Sequence, residues 1–223
     1  MDSVVKLDGP VLEPRQGPAR QLVVLCHGVG ADGNDLIGIA PAWAQVLPQA
    51  AFASPHAPFP YDAAPMGRQW FALWDRTPQQ MEAGVRLAAG LLNAWLDEQL
   101  SARKLAAKDC AVMGFSQGAM TALFASLRRT APLGAVLAFS GALLGAETLA
   151  GETTARSPTL LVHGEADPVV PAAATRAAEA ALREAGVPVT ARYVPGLQHG
   201  IDEASIGLAA RFMRTHLSAT PPG

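Results

Sequence analysis

"CAVMGFSQGAM", residues 110–120, runs six apolar or small residues into a serine that stands between two glycines. The apolar part reads as a strand covered on both faces, because nothing in it alternates with polar residues. The part after Ser116 reads as the first turn of a helix. Gly114-Phe115-Ser116-Gln117-Gly118 is a G-x-S-x-G sequence, and a pattern that short is weak when it stands alone. At the junction of a buried strand and a helix it gains meaning. A serine on so sharp a turn holds its hydroxyl clear of the sheet, at the amino end of a helix whose dipole favours a developing anion. A side chain at either glycine would collide with the neighbouring strand or helix. The plainer alternative is a glycine-lined turn with Ser116 as a helix cap.

The rest of the chain repeats the same alternation. Apolar runs at 21–26, 50–54, 134–140, 159–164 and 190–194 read as strands, and helical patterns fall at 34–47, 78–104, 117–130, 171–185 and 203–217. Strands alternating with helices imply right-handed crossovers and a mostly parallel sheet with helices on both faces. Thr77, Pro78 and Gln80 predict an N-cap, a proline in the first turn and a capping-box partner. Behind them Met81, Val85, Ala88, Leu92 and Trp95 form one apolar face. Pro41 is expected to split the 34–47 segment or delay its helix. Residues 55–77, rich in proline and aromatics, read as one long irregular segment, which in a compact domain is usually functional. The tail "SATPPG", 218–223, reads as frayed.

The bulk numbers exclude several classes. The chain has 223 residues, half of them hydrophobic, with 16% charged and a formal charge of −2. That length accommodates one core, so a single domain over 1–223 is expected. The charge balance argues against a nucleic-acid surface, and Arg103-Lys104 with Lys108 falls where a helix end would use positive charge. Cys26 and Cys110 each lie in a strand-like run and read as reduced packing residues. The opening residues hold no apolar stretch typical of a secretion signal, and no run approaches a membrane span, so a cytoplasmic location is expected.

A serine hydroxyl is a weak nucleophile until a base takes its proton, so the turn at Ser116 predicts partners further along. Among the later histidines, His163 lies inside the apolar run "TLLVHG" and is expected to point into packing. His216 belongs to the last helix and its surface. His199, in "PGLQHGID", follows the last strand in a glycine-bounded loop and is the well-placed base. The acid should follow the strand that carries His163. Asp167 of "HGEADPVVP" is the first choice, Glu165 the second, and an Asx turn ahead of Pro168 is the alternative role for Asp167.

"GVGADG", 28–33, matches the dinucleotide fingerprint G-x-G-x-x-G, but residues 36–61 contain no Asp or Glu to hold a ribose, so the pairing fails. The loop has another use. An oxyanion formed at Ser116 needs preorganised N–H donors, and the backbone groups of Val29 and Gln117 are the candidates. His27 is expected to support this loop through hydrogen bonds.

Taken together, "LCHGVGADGNDL", "LPQAAFASPHAP", "GRQWF", "GFSQGA", "HGEADPVVP" and "GLQHGI" resemble the bacterial phospholipase/carboxylesterase family, which includes the acyl-protein thioesterases. The match runs in family order from about residue 21 to residue 200. The resemblance implies an α/β-hydrolase fold without a large lid, with Ser116, Asp167 and His199 as triad and Val29 and Gln117 as oxyanion donors. It implies hydrolysis of a small ester or thioester through an acyl-enzyme, short to medium acyl chains being expected. Long-chain thioesterase or lysophospholipase activity and a catalytically silent ligand-binding domain are the alternatives. Neither cofactor nor metal is implied, nor any nucleic-acid or stable membrane partner, and a homodimer stays open. Cys26 departs from the family, where leucine or phenylalanine is more usual. Trp70 and Phe71, with Leu36 and Leu143, are the candidate substrate-pocket residues; Trp74 is a weaker one. For the aromatics, pinning the long loop to the core is an equal alternative.

Overall fold

A computed structural model of the chain describes residues 6–217, so the tail at 218–223 lies outside the described residues. The elements run in the order β1 (Val11–Leu12), β2 (Gln21–Cys26), α1 (Gly33–Leu36), α2 (Ala40–Trp43), β3 (Ala50–Ala53), β4 (Phe59–Pro60) and β5 (Arg68–Gln69). They continue with α3 (Pro78–Arg103), β6 (Cys110–Phe115), α4 (Gln117–Leu127), β7 (Ala135–Phe139), α5 (Leu149–Glu152), β8 (Thr159–Gly164), α6 (Ala172–Glu184), β9 (Val189–Val194) and α7 (Glu203–His216). Seven strands form one sheet in the order β1-β3-β2-β6-β7-β8-β9, parallel throughout except for the antiparallel edge pair β1–β3.

Strand alternation divides the core into two layers. In β2, Leu22, Val24 and Cys26 face one side while Val23 and Leu25 face the other. The first side packs against α3, α4 and α6, and the second against α1, α2 and α7. In α3, Val85, Ala88, Leu92, Trp95 and Leu96 are buried at spacings of three and four, the face expected from the sequence. Burial of each large apolar side chain contributes about 1.5–3 kcal/mol relative to exposure. α4 is buried nearly all round, because it lies between the sheet and α3, and its apolar sequence has no polar face to offer solvent.

Local departures from the sequence reading have identifiable causes. Thr77 does flank α3, but its side chain makes no cap bond and the expected box with Gln80 is absent; Asp75 Oδ1 instead accepts the Thr77 N–H at 2.9 Å. The 34–47 segment breaks into α1, a 3₁₀ turn at Ile37–Ile39 and α2, with Pro41 in the first turn of the last piece. Asp32 caps α1 by accepting the Asn34 N–H at 2.7 Å. The long 55–77 segment is not wholly irregular: β4 and β5 make a small antiparallel pair inside it. Lys104, at φ 55°, is the left-handed residue that ends α3, while Arg103 Nη1 donates to Gln99 Oε1 at 2.7 Å. No helix among the described residues is long and apolar enough to cross a membrane.

Candidate active site

The carboxyl ends of β2, β6, β8 and β9 open onto one edge of the sheet, the edge where open α/β sheets bind ligands. Ser116 stands at the end of β6, immediately before α4, with φ 53° and ψ −118°. A serine in that region is strained, and the strain persists because the surroundings fix it. The Ser116 N–H donates to Phe139 O of β7 at 2.8 Å, and its carbonyl accepts from Ala119 and Met120. The two flanking glycines are there for close approach. A Cβ at Gly114 would fall inside the 3.0 Å that real Cβ atoms keep from Gly118 O, and a Cβ at Gly118 would do the same against Cys26 O. The serine turn is wedged between β2 and its own helix. No side chain fits on either side of it.

Asp167 follows β8 in a tight turn, and its two oxygens have different partners. Oδ1 accepts the N–H groups of Val169 and Val170 at 2.8 and 2.9 Å, an Asx-type arrangement, while Oδ2 faces His199 Nδ1 at 2.6 Å. The side chain has no exposed surface. Burial by itself would raise the Asp167 carboxyl, but hydrogen bonds from His199, Val170 and Val169 outweigh it and leave the group below its ordinary value. Glu165 points elsewhere: its carboxylate pairs with Arg176 at 2.6 Å on the surface.

Two main-chain bonds bind the acid turn to the histidine loop, Glu165 N–H to Val194 O at 2.9 Å and Ala166 N–H to Leu197 O at 3.0 Å. They bring His199 over the Asp167 carboxylate although 32 positions separate them. His199 is half-buried, and its ring lies 4.9 Å from the ring of Phe115, the residue before Ser116. With Asp167 accepting at Nδ1, the other ring nitrogen is left free to act as a base. The arrangement can take a proton from a hydroxyl and hold the resulting imidazolium beside a carboxylate.

Gln117 opens α4, so its N–H belongs to the first-turn donors that have no partner within a helix. In the loop after β2, Gly30 N–H donates to Arg68 O and Ala31 N–H to Gly28 O. Among the described residues the Val29 N–H, like that of Gly28, enters none of these main-chain loop bonds. His27 supports this loop as expected. Its Nε2 accepts the Ala57 N–H at 3.0 Å, so Nδ1 carries the proton toward Gly28 O at 2.7 Å. Burial holds the His27 ring below its ordinary pKa, which favours this neutral form.

The side chain of Gln117 has a role no sequence feature announced. Its Oε1 accepts the Trp70 N–H at 2.8 Å and its Nε2 donates to Phe71 O at 2.7 Å, fixing the long loop to the serine turn. Trp70 adds a bond from Nε1 to His27 O at 2.9 Å.

The four candidate pocket residues do not form one wall. Trp70 is 0% exposed and Phe71 2%, both packed in the layer beneath α3 and α4, where they pin the loop. Leu143 is half-buried at the margin of that layer, whereas Leu36 packs in the opposite layer with α2 and α7. Trp74 is 78% exposed and borders an open groove with Phe59, Phe71 and Leu87. His216 lies on the surface of α7, while Cys26 and Cys110 are buried free thiols. Among the described residues no group of His, Cys, Asp and Glu side chains is placed to hold a metal ion.

A family model described as phospholipase/carboxylesterase matches residues 7–217 of the chain. Esterase YpfH of Escherichia coli (strain K12) is 32% identical over 219 residues, covering 98% of this chain and 90% of that protein. Acyl-protein thioesterase 1 of Gibberella zeae is 24% identical over 225 residues, covering 93% of this chain and 95% of its own. Among solved structures, that of esterase PE8 superposes with a TM-score of 0.91 at 37% identity, covering 96% of this chain and all of the other.

Proposed function

The chain belongs to the phospholipase/carboxylesterase family and is a serine hydrolase acting on carboxylic esters or thioesters; from that premise we propose that Ser116, His199 and Asp167 carry the reaction. The observation that supports this most strongly is the 2.6 Å contact between Asp167 Oδ2 and His199 Nδ1, beside a serine held at φ 53°.

His199 Nε2 takes the Ser116 proton as Oγ attacks the carbonyl carbon, and Asp167 stabilises the imidazolium without taking a proton itself. The tetrahedral oxyanion is received by the N–H groups of Val29 and Gln117, with the amino end of α4 adding its partial positive charge. Collapse breaks the bond to the alcohol or thiol, which leaves with the proton from His199. Water then attacks the acyl-enzyme with His199 again as base, and Ser116 is regenerated as the acid departs.

Short to medium acyl chains are the favoured substrates, since among the described residues no segment between the strands forms a large lid over the sheet edge. A long-chain reading is favoured by a different observation: the groove bordered by Phe59, Phe71, Trp74 and Leu87 is open and largely apolar. The chain acts in the cytoplasm on this reading, as a small-molecule hydrolase. A series of p-nitrophenyl esters from acetate to palmitate separates the two substrate classes. The expected result is a maximum in kcat/KM at or below six carbons, with a fall of about tenfold or more by sixteen. A maximum at the long end would assign the enzyme to long acyl chains instead.

A further inference from the structure

Asp167 lies between two imidazoles. His199 Nδ1 meets its Oδ2 at 2.6 Å, and His163 Nε2 approaches the same oxygen at 3.2 Å from inside the protein. His163 has no exposed surface and takes no part in the proton transfers described above. Its ring is fully engaged. Nε2 lies 2.8 Å from Val170 O as well as near Asp167, and since a carbonyl and an ionised carboxylate only accept, Nε2 carries a proton. Nδ1 meets the Thr175 hydroxyl of α6 at 2.6 Å, and that hydroxyl lies 3.1 Å from Gly141 O. Gly141 packs beside the nucleophile turn: a Cβ there would approach Ser116 O to 3.3 Å. The residue before it, Ser140, is held at φ 48°. His163 therefore touches the acid with one nitrogen and, through Thr175, reaches the turn next to Ser116 with the other.

We propose that His163 is a positioning residue for ester hydrolysis: its Nε2–H donates to Val170 O and so holds the turn whose N–H groups grip Asp167 Oδ1, while the positive edge of the ring, 3.2 Å from Oδ2, tempers the carboxylate's charge beneath His199. This rests on the assignment of Ser116, His199 and Asp167 made above. A carboxylate faced by a second positive dipole is a weaker partner for its first donor. Without His163, Asp167 would hold the His199 imidazolium more strongly, and His199 would become a free base only at higher pH. Other charged groups nearby are engaged elsewhere. Glu165 pairs with Arg176; Arg176 also stacks over Tyr193, which lies opposite His163 in β9; and the Tyr193 hydroxyl donates to Glu179.

The test compares His163→Leu, His163→Gln and Thr175→Val with the unaltered protein, using p-nitrophenyl acetate from pH 4 to 9 and counting active sites with a fluorophosphonate. His163→Leu is expected to move the acid limb of kcat/KM upward by about half a pH unit or more. It should also lower kcat about tenfold while leaving KM within about twofold, because His163 touches no substrate. His163→Gln, which places an amide N–H near the position of Nε2, should restore most of both changes. An unmoved acid limb in folded His163→Leu, or equal losses in the Leu and Gln variants, would overturn the inference in favour of simple packing. If His163→Leu does not fold, Thr175→Val decides by the same limb: a shift upward supports the role and an unmoved limb rejects it. Failure of the underlying assignment would look different, since Ser116→Ala would then keep its turnover whatever the His163 variants did.

Discussion

Ser116→Ala is expected to lower kcat/KM on p-nitrophenyl acetate or butyrate by about 10⁴-fold or more, with no change in the far-ultraviolet circular dichroism. The size of the loss follows from the chemistry. Without Oγ no acyl-enzyme forms, and the residual rate is whatever the oxyanion donors and binding achieve with water as nucleophile. The fold should survive because the strain at φ 53° belongs to the backbone and the change removes only one oxygen. The turn is held by the Ser116 N–H to Phe139 O bond and by the close packing of Gly114 and Gly118, none of which uses the hydroxyl. Steady-state rates and a dichroism spectrum on the same preparation check both halves of the expectation.

Asp167→Asn should be nearly as damaging, by about 10⁴-fold in kcat, for a reason that depends on which oxygen is replaced. An amide can keep its oxygen at the Oδ1 position, where it accepts from Val169 and Val170, so the turn is retained. Its NH₂ then occupies the Oδ2 position and presents a donor to His199 Nδ1. The ring must answer with a lone pair, which moves its proton to Nε2 and faces Ser116 with the wrong tautomer. A stability signature accompanies the kinetic one. The Asp167 carboxyl sits below its ordinary value in the folded state, so the carboxylate contributes stability above its unfolded pKa of about 3.9 and loses it as pH falls through the folded value. The difference in melting temperature between the wild type and Asp167→Asn should therefore narrow as the pH is taken below about 4.

Much of this site is legible in the sequence because its parts are local. The serine turn is written in five consecutive residues, and the strands that deliver Asp167 and His199 are long enough for their apolar runs to be read. Chain order then limits the acid and the base to a few positions. What escaped the reading is either too short or too distant. β1, β4 and β5 have two residues each, and no periodicity exists over two residues. The bonds of Gln117 to Trp70 and Phe71 join positions 47 and 46 apart, and only the folded topology brings them together. Trp70 and Leu36 show a related limit, since large apolar residues line pockets and cores alike; their burial in two opposite layers is set by sheet pairing. Thr77 shows the limit of local rules from the other side: the capping pattern is present, but Asp75 takes the N–H and the box does not form.

Incubation with a fluorophosphonate, followed by mass spectrometry of the digested protein, tests most directly whether the hydroxyl at residue 116 is a nucleophile activated by its neighbours. The expected result is one stoichiometric phosphonyl adduct on Ser116, with hydrolysis lost in proportion to labelling. Full labelling at another residue, or an unlabelled Ser116 in protein that still hydrolyses esters, would contradict it.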